Sequence, residues 1–591
     1  KKKIYFKHYL IKTTTYCILC KKWALYSIMY KPELLNSLKG YNSKSFFTDV
    51  IAGIIVGIVA LPLSIAFAIA SGCSPETGLY TAIIAGFCIA AFGGTKCQIG
   101  GPTGAFTVII YKIVNDPSLG MTGLATATVL AGIILILLGV FKLGGLVQFI
   151  PYTIVIGFTA GIAVTIATAQ IGDLLGLTPD FSKPIEILGQ SYSKMPGTFV
   201  GKILVYISSI STINWYSFIM ALACLVIIFL WPKVTNKIPG SLIVIILATV
   251  ANIILSNCFD LHTDIIKDRY SIPSSLPKPQ IPALSFQTIK TVFPTACSIA
   301  VLAAIESLLS AVVADGMIGS KHNSDNELIG QGIANIFSPL FGGLPATGAI
   351  ARTATNINNG RRTPIAGIIH AIVLLLIMLL LGKLAVYIPM AALAAVLVSV
   401  AWNMAGIPAI KALLKGQKSD ICVLAVTFII TVFIDLTVAI EIGLGFAAFF
   451  FIKKMIDVSE VQEKRENIIT GIDSFGNKTE YAIPTGVLIY EIEGPLFFGT
   501  VRKFEMAVER ADVSCKAIVL NMESTIYLDA GGIQALEQCK AACDRKGIKI
   551  ILSGIHTQPY ILFEKTGMVN KIGKEYIFGD IQEAIKYASE V

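Results

Sequence analysis

Apolar runs separated by short polar or glycine-rich breaks fill the chain from Thr48 to Lys454, and their lengths set the elements to expect. Many approach the roughly 20 residues that a helix needs to cross the hydrocarbon core of a bilayer. Taken in order they predict fourteen membrane elements, at 48–71, 78–94, 103–115, 121–142, 149–171, 215–231, 239–257, 292–315, 327–341, 347–358, 364–382, 386–405, 419–435 and 437–453. Runs 103–115 and 347–358 are too short to span and predict half-helices. Each opens on a related break: Gly100-Gly101-Pro102-Thr103-Gly104-Ala105 in one, Gly342-Gly343-Leu344-Pro345-Ala346-Thr347-Gly348-Ala349 in the other. The two Thr-Gly-Ala copies lie 244 residues apart, an offset that also relates Gly72 to Gly316, Gly86 to Gly330 and Ala90 to Ala334. Seven elements per half, an odd number, invert the second copy relative to the first and leave both termini on one side of the membrane.

Over Tyr481–Val591 the pattern changes to charges every few residues. Val487–Ile492, Ala517–Met522 and Ile548–Ser553 alternate as strands, with helical periodicity between and after them, which predicts a small α/β domain. The expected organisation is a basic tail at 1–47, a membrane domain at 48–454, a linker at 455–483 and a soluble domain at 484–591.

Composition agrees with the pattern: 54% of residues are hydrophobic and 14% charged, well below the charged share of a soluble domain. The net charge of +10 is not a nucleic-acid signal, because much of it sits in the first 44 residues, where ten lysines face the single acid Glu33. That reads as a cytoplasmic tail. The first Met is Met29, so residues 1–28 are expected to precede the natural start or to form a variable tail. Predicted inner loops carry Lys96, Lys142, Lys233, Lys237, Arg361, Arg362, Lys411, Lys415 and Lys418; the outer ones carry Glu76, Asp116 and Asp435, with Lys112 and Lys383 as bases. The twelve Cys are scattered; Cys17 and Cys20 have no second pair, and Cys539 and Cys543, one helical turn apart, read as packing. No Walker sequence, nucleophile motif or paired metal-ligand spacing appears, so neither an enzyme nor a cofactor is expected.

The chemistry should sit at the two breaks. A helix beginning in mid-membrane presents free N–H groups and the positive end of its dipole, and two facing ends form a ready anion site. Thr103 and Thr347 are placed to cap these helices or donate to an anion, and Gly104 and Gly348 let a ligand approach the backbone. Close-packed kinks are the structural alternative. Arg352, five residues beyond Thr347, puts a permanent charge at membrane depth, with a planar fork suited to oxyanions; pairing with a buried acid is its alternative role. Glu306, in the apolar run Ala303-Ala304-Ile305-Glu306-Ser307-Leu308, pairs with Arg352 or a cation, or carries a proton. Ser310 stands one turn further on as a second oxygen ligand. His370, alone on an apolar helix, reads as a satisfied core residue.

Leu61-Pro62-Leu63-Ser64-Ile65-Ala66-Phe67-Ala68, Gly101-Pro102-Thr103-Gly104-Ala105, Ala304-Ile305-Glu306-Ser307-Leu308-Leu309 and Ala349-Ile350-Ala351-Arg352-Thr353 together resemble the SulP sulfate permease family. The resemblance runs from about Met29 nearly to the end. It implies a multi-pass α-helical membrane protein with a seven-plus-seven inverted repeat in a UraA-like core and gate architecture, followed by a small cytoplasmic domain. It places an anion site between the third and tenth elements, lined by Thr103, Gly104, Ala105, Ala349, Ala351 and Arg352, to which the reading of the second break adds Thr347 and Gly348. Coupling falls to Glu306 and Ser310; sodium-coupled bicarbonate members carry Asp where Glu306 stands, so sodium and proton both stay open. The tail, with Leu528-Asp529-Ala530-Gly531-Gly532-Ile533 opening a helix, resembles the STAS domain; Gly531 replaces the phosphorylatable residue of regulatory relatives, and Asp529 is a helix cap. The expected function is secondary-active transport of sulfate or bicarbonate, by symport or exchange, across a bacterial inner membrane, by a homodimer with both termini cytoplasmic. A dicarboxylate symporter, a channel-like conductor and a regulatory transceptor are the alternatives. Expected partners are the anion, a coupling proton or sodium, the lipid bilayer and a protein or nucleotide ligand of the STAS domain.

Overall fold

The structure is a computed structural model that describes residues 30–590, apart from 146–150, 188–189, 236–239, 260, 262, 271–278, 281, 283–284, 360–362, 435, 464–467, 473–477 and 510–514. The expectations for residues 1–28, for Cys17 and Cys20, and for Lys237, Arg361, Arg362 and Asp435 lie outside the described residues. The chain divides into two compact units, one ending at Leu444 and one from Gly445 to Val591.

All fourteen expected runs are helical: α1 (Ser43–Ala70), α2 (Pro75–Phe92), α3 (Thr107–Val114), α4 (Gly120–Val140), α5 (Tyr152–Ala169), α6 (Trp215–Leu230), α7 (Gly240–Phe259), α8 (Phe286–Ile318), α9 (Ser324–Leu340), α10 (Ile350–Asn358), α11 (Ile365–Ala385), α12 (Met390–Met404), α13 (Lys418–Phe433) and α14 (Leu436–Val458). Boundaries differ where local chemistry decides them. Helix α1 starts five residues early because the Asn42 side chain accepts from Ser45 N at 2.9 Å, satisfying a first-turn donor. Helix α8 runs 33 residues, through Pro294, as neighbouring helices in a membrane allow. The ten-residue helix Phe199–Ser208 was not expected, being too short to read as a span.

Packing follows the inferred repeat. Helix α1 packs on α11, α2 on α11, and α5 on α13; exchanging the halves gives α8 on α4, α9 on α4, and α12 on α6, and each of these pairs is also packed. The pairs α2–α9 and α5–α12 map onto themselves. Helices α1–α4 and α8–α11 thus form one bundle, and α5–α7 with α12 and α13 another. Helix α2 lies at the centre, 72% of its apolar window buried, whereas α6 and α7, at 22%, keep apolar flanks for lipid.

The α4–α9 crossing depends on two glycines. A Cβ on Gly132 would lie 2.7 Å from the Gly332 carbonyl oxygen, and one on Gly332 would lie 2.6 Å from that of Gly132. Small residues let helix backbones approach this closely where lipid supplies no hydrophobic drive to associate.

In the second unit a five-stranded sheet has the order β7-β6-β5-β4-β3, from β3 (Glu460–Glu463), β4 (Val487–Glu493), β5 (Ala517–Asn521), β6 (Lys549–Ser553) and β7 (Ile577–Phe578). Strands β4 to β7 are parallel and β3 is antiparallel to β4. The stretch 455–483, read as a linker, therefore contributes an edge strand, and it also holds a hairpin of Ile468–Ile472 with Lys478–Ala482. One sheet face buries Phe504, Leu536 and Phe563, and the other packs on the C-terminal helix Ile581–Glu590 through Ala584, Ile585 and Ala588. Asp529 caps the helix Ala530–Arg545: one carboxylate oxygen accepts from Gly532 N at 2.8 Å and the other from Phe498 N at 3.2 Å. A Cβ on Gly531 would lie 3.3 Å from the Phe498 backbone, which leaves little room for a larger side chain.

Substituting Gly132 by Val should push α4 off α9 and cost about 1–3 kcal/mol of overpacking. Thermal unfolding of the detergent-purified protein should show a lower midpoint; an unchanged midpoint contradicts the close crossing.

Candidate functional site

The two breaks meet. Gly100–Gly101 (β1) and Thr347–Gly348 (β2) form an antiparallel pair, with Gly100 opposite Gly348 and Gly101 opposite Thr347. Continued, that register brings Pro102 opposite Ala346, positions 244 residues apart, so the pair occupies one side of the local twofold axis. Ala349 N donates to Ile99 O at 2.8 Å and extends the ladder. Backbone that leaves the helix inside a membrane thereby finds partners within the protein.

Side chains complete the bonding. Thr353 Oγ1 accepts from Ile99 N at 3.1 Å, and Asn356 Nδ2 donates to Cys97 O at 2.9 Å, so α10 holds the approach to β1. Gln98 Nε2 donates to Ser307 O at 3.2 Å on α8 and fills the space beside Gly348. Helix α9 carries a buried polar stripe at one-turn spacing. Glu327 accepts from Gly94 N, Thr95 Oγ1 and Gln331 Nε2 at 2.7–2.9 Å. Asn335 exchanges two bonds with Ala346, and Ser338 Oγ donates to Leu344 O at 2.7 Å. None of Gln98, Thr353, Asn356 or this stripe was singled out from sequence. The signal was present: Glu327, Gln331, Asn335 and Ser338 share one face of a helix at membrane depth, where polar groups need partners.

The predicted site residues fall into two groups. Thr103, Gly104 and Ala105 open α3 through a 3₁₀ turn at Gly104–Phe106, and the Thr103 side chain does not cap it. Instead Thr103 Oγ1 donates to Glu306 Oε2 at 2.8 Å, joining the first break to the acid of α8. Gly104 lies against Phe67 of α1, Ile166 of α5 and Met404 of α12. In the second copy the helix begins at Ile350, three residues later than expected, because Thr347 and Gly348 are spent in β2. Thr347 accordingly does not cap; its buried hydroxyl donates to Ala303 O at 3.0 Å. Ala349 is buried at the start of α10, and Ala351, one residue into the helix, is exposed. Ser310 donates to Thr353 Oγ1 at 3.3 Å, so its hydroxyl serves the α8–α10 contact.

Arg352 is 2% exposed, and its Nη2 donates to Pro102 O. The guanidinium occupies the place a side chain at position 101 would take: Gly101 adopts φ +151°, and a Cβ there would lie 2.5 Å from Nη1. Nη1 is buried without a hydrogen-bond partner, and among the described residues no carboxylate lies within the 4.0 Å that defines an ion pair with Arg352. The fork therefore lies behind the strand pair, where its charge adds to the positive helix ends. His370 is fully buried on α11, a core position as expected, with its ring against Gly86 of α2.

Residues 46–427 match the family model described as "Sulfate permease family", and 478–584 match the STAS domain. The chain belongs to the sulfate permease family. It is 41% identical over 542 residues to a Bacillus subtilis (strain 168) protein named "Putative sulfate transporter YvdB", covering 91% of this chain and 97% of that one. It is 31% identical over 552 residues to the bicarbonate transporter BicA of Synechocystis sp. (strain ATCC 27184 / PCC 6803 / Kazusa), covering 91% and 94%. The solved transmembrane domain of a cyanobacterial BicA superposes with a TM-score of 0.58 at 31% identity, over 69% of this chain and 98% of that one. Murine Slc26a9 superposes with a TM-score of 0.79 at 21% identity, over 94% of each chain, a likeness of fold. The multi-pass helical fold with a C-terminal STAS domain is thus the fold of transporters, and the protein is not an enzyme.

Gly348→Ala should place a methyl where the Gln98 side-chain amide sits. Forcing Gln98 away from Ser307 strands buried polar groups at about 1–3 kcal/mol each. Transport by the purified, correctly sized variant should fall at least tenfold; wild-type flux would show that the strand pair tolerates the displacement.

Proposed function

We propose that this protein carries a small inorganic oxyanion, sulfate or bicarbonate, across the plasma membrane by alternating movement of the α1–α4/α8–α11 bundle against the other. The observation that carries the reading is the buried charge of Arg352, which no carboxylate among the described residues meets within ion-pair distance, beside the starts of α3 and α10. A guanidinium at this depth without a direct carboxylate contact favours a mobile anion as its counter-charge. The names of the relatives, a putative sulfate transporter and a bicarbonate transporter, support the same cargo class.

Thr103, Gly104 and Ala105 on one side and Thr347, Gly348, Ala349 and Ala351 on the other would frame the anion with backbone N–H groups. Arg352 would hold it by charge and by fixing Pro102. Glu306, bonded to Thr103, stands next to this frame and would couple anion movement to a proton: on taking up a proton the carboxylate loses its negative charge and gains an O–H donor, so its bond with Thr103 and its charge change together. Ser310 would act on coupling through Thr353. A homodimer with both termini cytoplasmic completes the proposal, supported by the odd number of elements per half and by the basic inner loops.

Uptake of labelled sulfate, bicarbonate and fumarate into proteoliposomes under imposed proton or sodium gradients tests the reading. Arg352→Ala should raise the half-saturating anion concentration by about 10- to 100-fold, the equivalent of one charged hydrogen-bonding partner; an unchanged value removes Arg352 from the site. Glu306→Gln should keep anion exchange while abolishing the response to a proton gradient. A response equal to wild type, or one following sodium alone, refutes proton coupling through Glu306.

A further inference from the structure

A cavity of about 630 Å³ lies between α3, α5, α13 and the unanticipated helix Phe199–Ser208. Residues 115–117 and 191–198, in the stretches that follow α3 and α5, are part of its lining, which puts one end of the cavity at the membrane face that holds those stretches. Its lining includes Lys112, Lys194 and Lys202 against one acid, Asp116. That acid is already engaged, because Ser118 donates to it through its hydroxyl at 2.6 Å and its amide at 2.8 Å; these bonds hold its carboxyl below the usual carboxylate range.

Lys202 is the focus. It sits in the first turn of Phe199–Ser208, whose start is capped by Thr198 Oγ1 accepting from Gly201 N, so the helix dipole adds to its charge. Its ammonium stands 4.7 Å from the centre of the Tyr111 ring on α3, and no carboxylate pairs with it among the described residues. The roof is tied to α3 at two points: Tyr111 OH donates to Met195 O at 3.2 Å, and Lys194 Nζ donates to Asn115 O at 3.1 Å. Thr107 and Ile166 are also part of the lining. Thr107 Oγ1 donates to Gly104 O at 2.7 Å, and a Cβ on Gly104 would lie 2.8 Å from Ile166 Cδ1. The cavity therefore shares lining residues with the contacts around the first break.

We infer that this cavity is a second anion-binding site, at which Lys202 and the Phe199–Ser208 helix start hold a small oxyanion before it enters the site between α3 and α10. The inference rests on the proposed anion transport for its choice of ligand. A positively lined cleft with low-dielectric walls concentrates anions and raises their capture rate. Tyr111 and Lys202 lie on opposite sides of the contact between the two bundles, so an anion held there waits where the bundles must part.

The test is flux in oriented proteoliposomes, with sulfate or bicarbonate added from either face. Lys202→Ala should raise the half-saturating concentration from the cavity face about tenfold, leave the maximal rate within about twofold, and leave half-saturation from the opposite face unchanged. Lys202→Arg should restore the wild-type value, and high concentrations of a bulky, non-transported salt should erase the difference between wild type and Lys202→Ala. Equal effects from both faces, or a lower maximal rate at unchanged half-saturation, would overturn the inference. A second arm needs no turnover. In a background stripped of accessible cysteines, Ser193→Cys should react faster with an anionic thiol reagent than with a neutral one, and Lys202→Ala should abolish that preference. The absence of any charge preference would overturn the inference too. A protein that moves no anion from either face would defeat the proposed function, and the labelling arm would still decide this site.

Discussion

Within a bilayer no water reaches the backbone, so each N–H and C=O freed by a broken helix must be satisfied by the protein. This chain breaks two helices at the same depth and meets the demand by pairing the breaks with each other. The two residue pairs of β1 and β2 are few, but they are reinforced from three sides: by Thr353 and Asn356 of α10, by Gln98 resting on α8, and by the polar stripe of α9. Because the pairing fixes where each break ends, it also fixes where α3 and α10 begin. The anion site we propose would be the consequence of that arrangement rather than a separate construction.

The repeat supplies symmetry, and the chemistry uses its failures. Thr103 is free to bond Glu306, whereas its counterpart Thr347 is committed to a strand and to Ala303. The position 244 residues before Arg352 is Val108, an apolar residue. The half with Thr103 thus brings its break into contact with a titratable group, and the half with Arg352 brings the charge. In the function we propose, a fully symmetric pair of breaks would bind an anion without linking it to a second ion.

Much of this was legible in the chain. Run lengths gave the helices, because bilayer thickness sets a length that sequence displays directly. The recurrence of Thr-Gly-Ala, and the shortness of the runs behind it, marked the two breaks that the structure pairs. What stayed hidden was pairing between distant residues. The start of α10 at Ile350 depends on Thr347 and Gly348 bonding to residues nearly 250 positions away. Ser310 read as a partner of Glu306 from helix spacing, yet its hydroxyl meets Thr353 of another helix. The edge strand β3 lies in a stretch with the look of a linker, because its partner β4 begins 24 residues further on. The helix Phe199–Ser208 was too short for any length rule.

That the paired breaks form the anion site is tested most directly by locating the bound anion itself. A crystal of the protein grown with selenate, phased at the selenium edge, should show an anomalous peak between the starts of α3 and α10, within hydrogen-bonding reach of backbone N–H groups at Gly104–Ala105 or Ile350–Ala351. The peak should vanish in Arg352→Ala under the same conditions. Full-occupancy selenate found elsewhere in the membrane unit, with none at this position, would contradict the assignment.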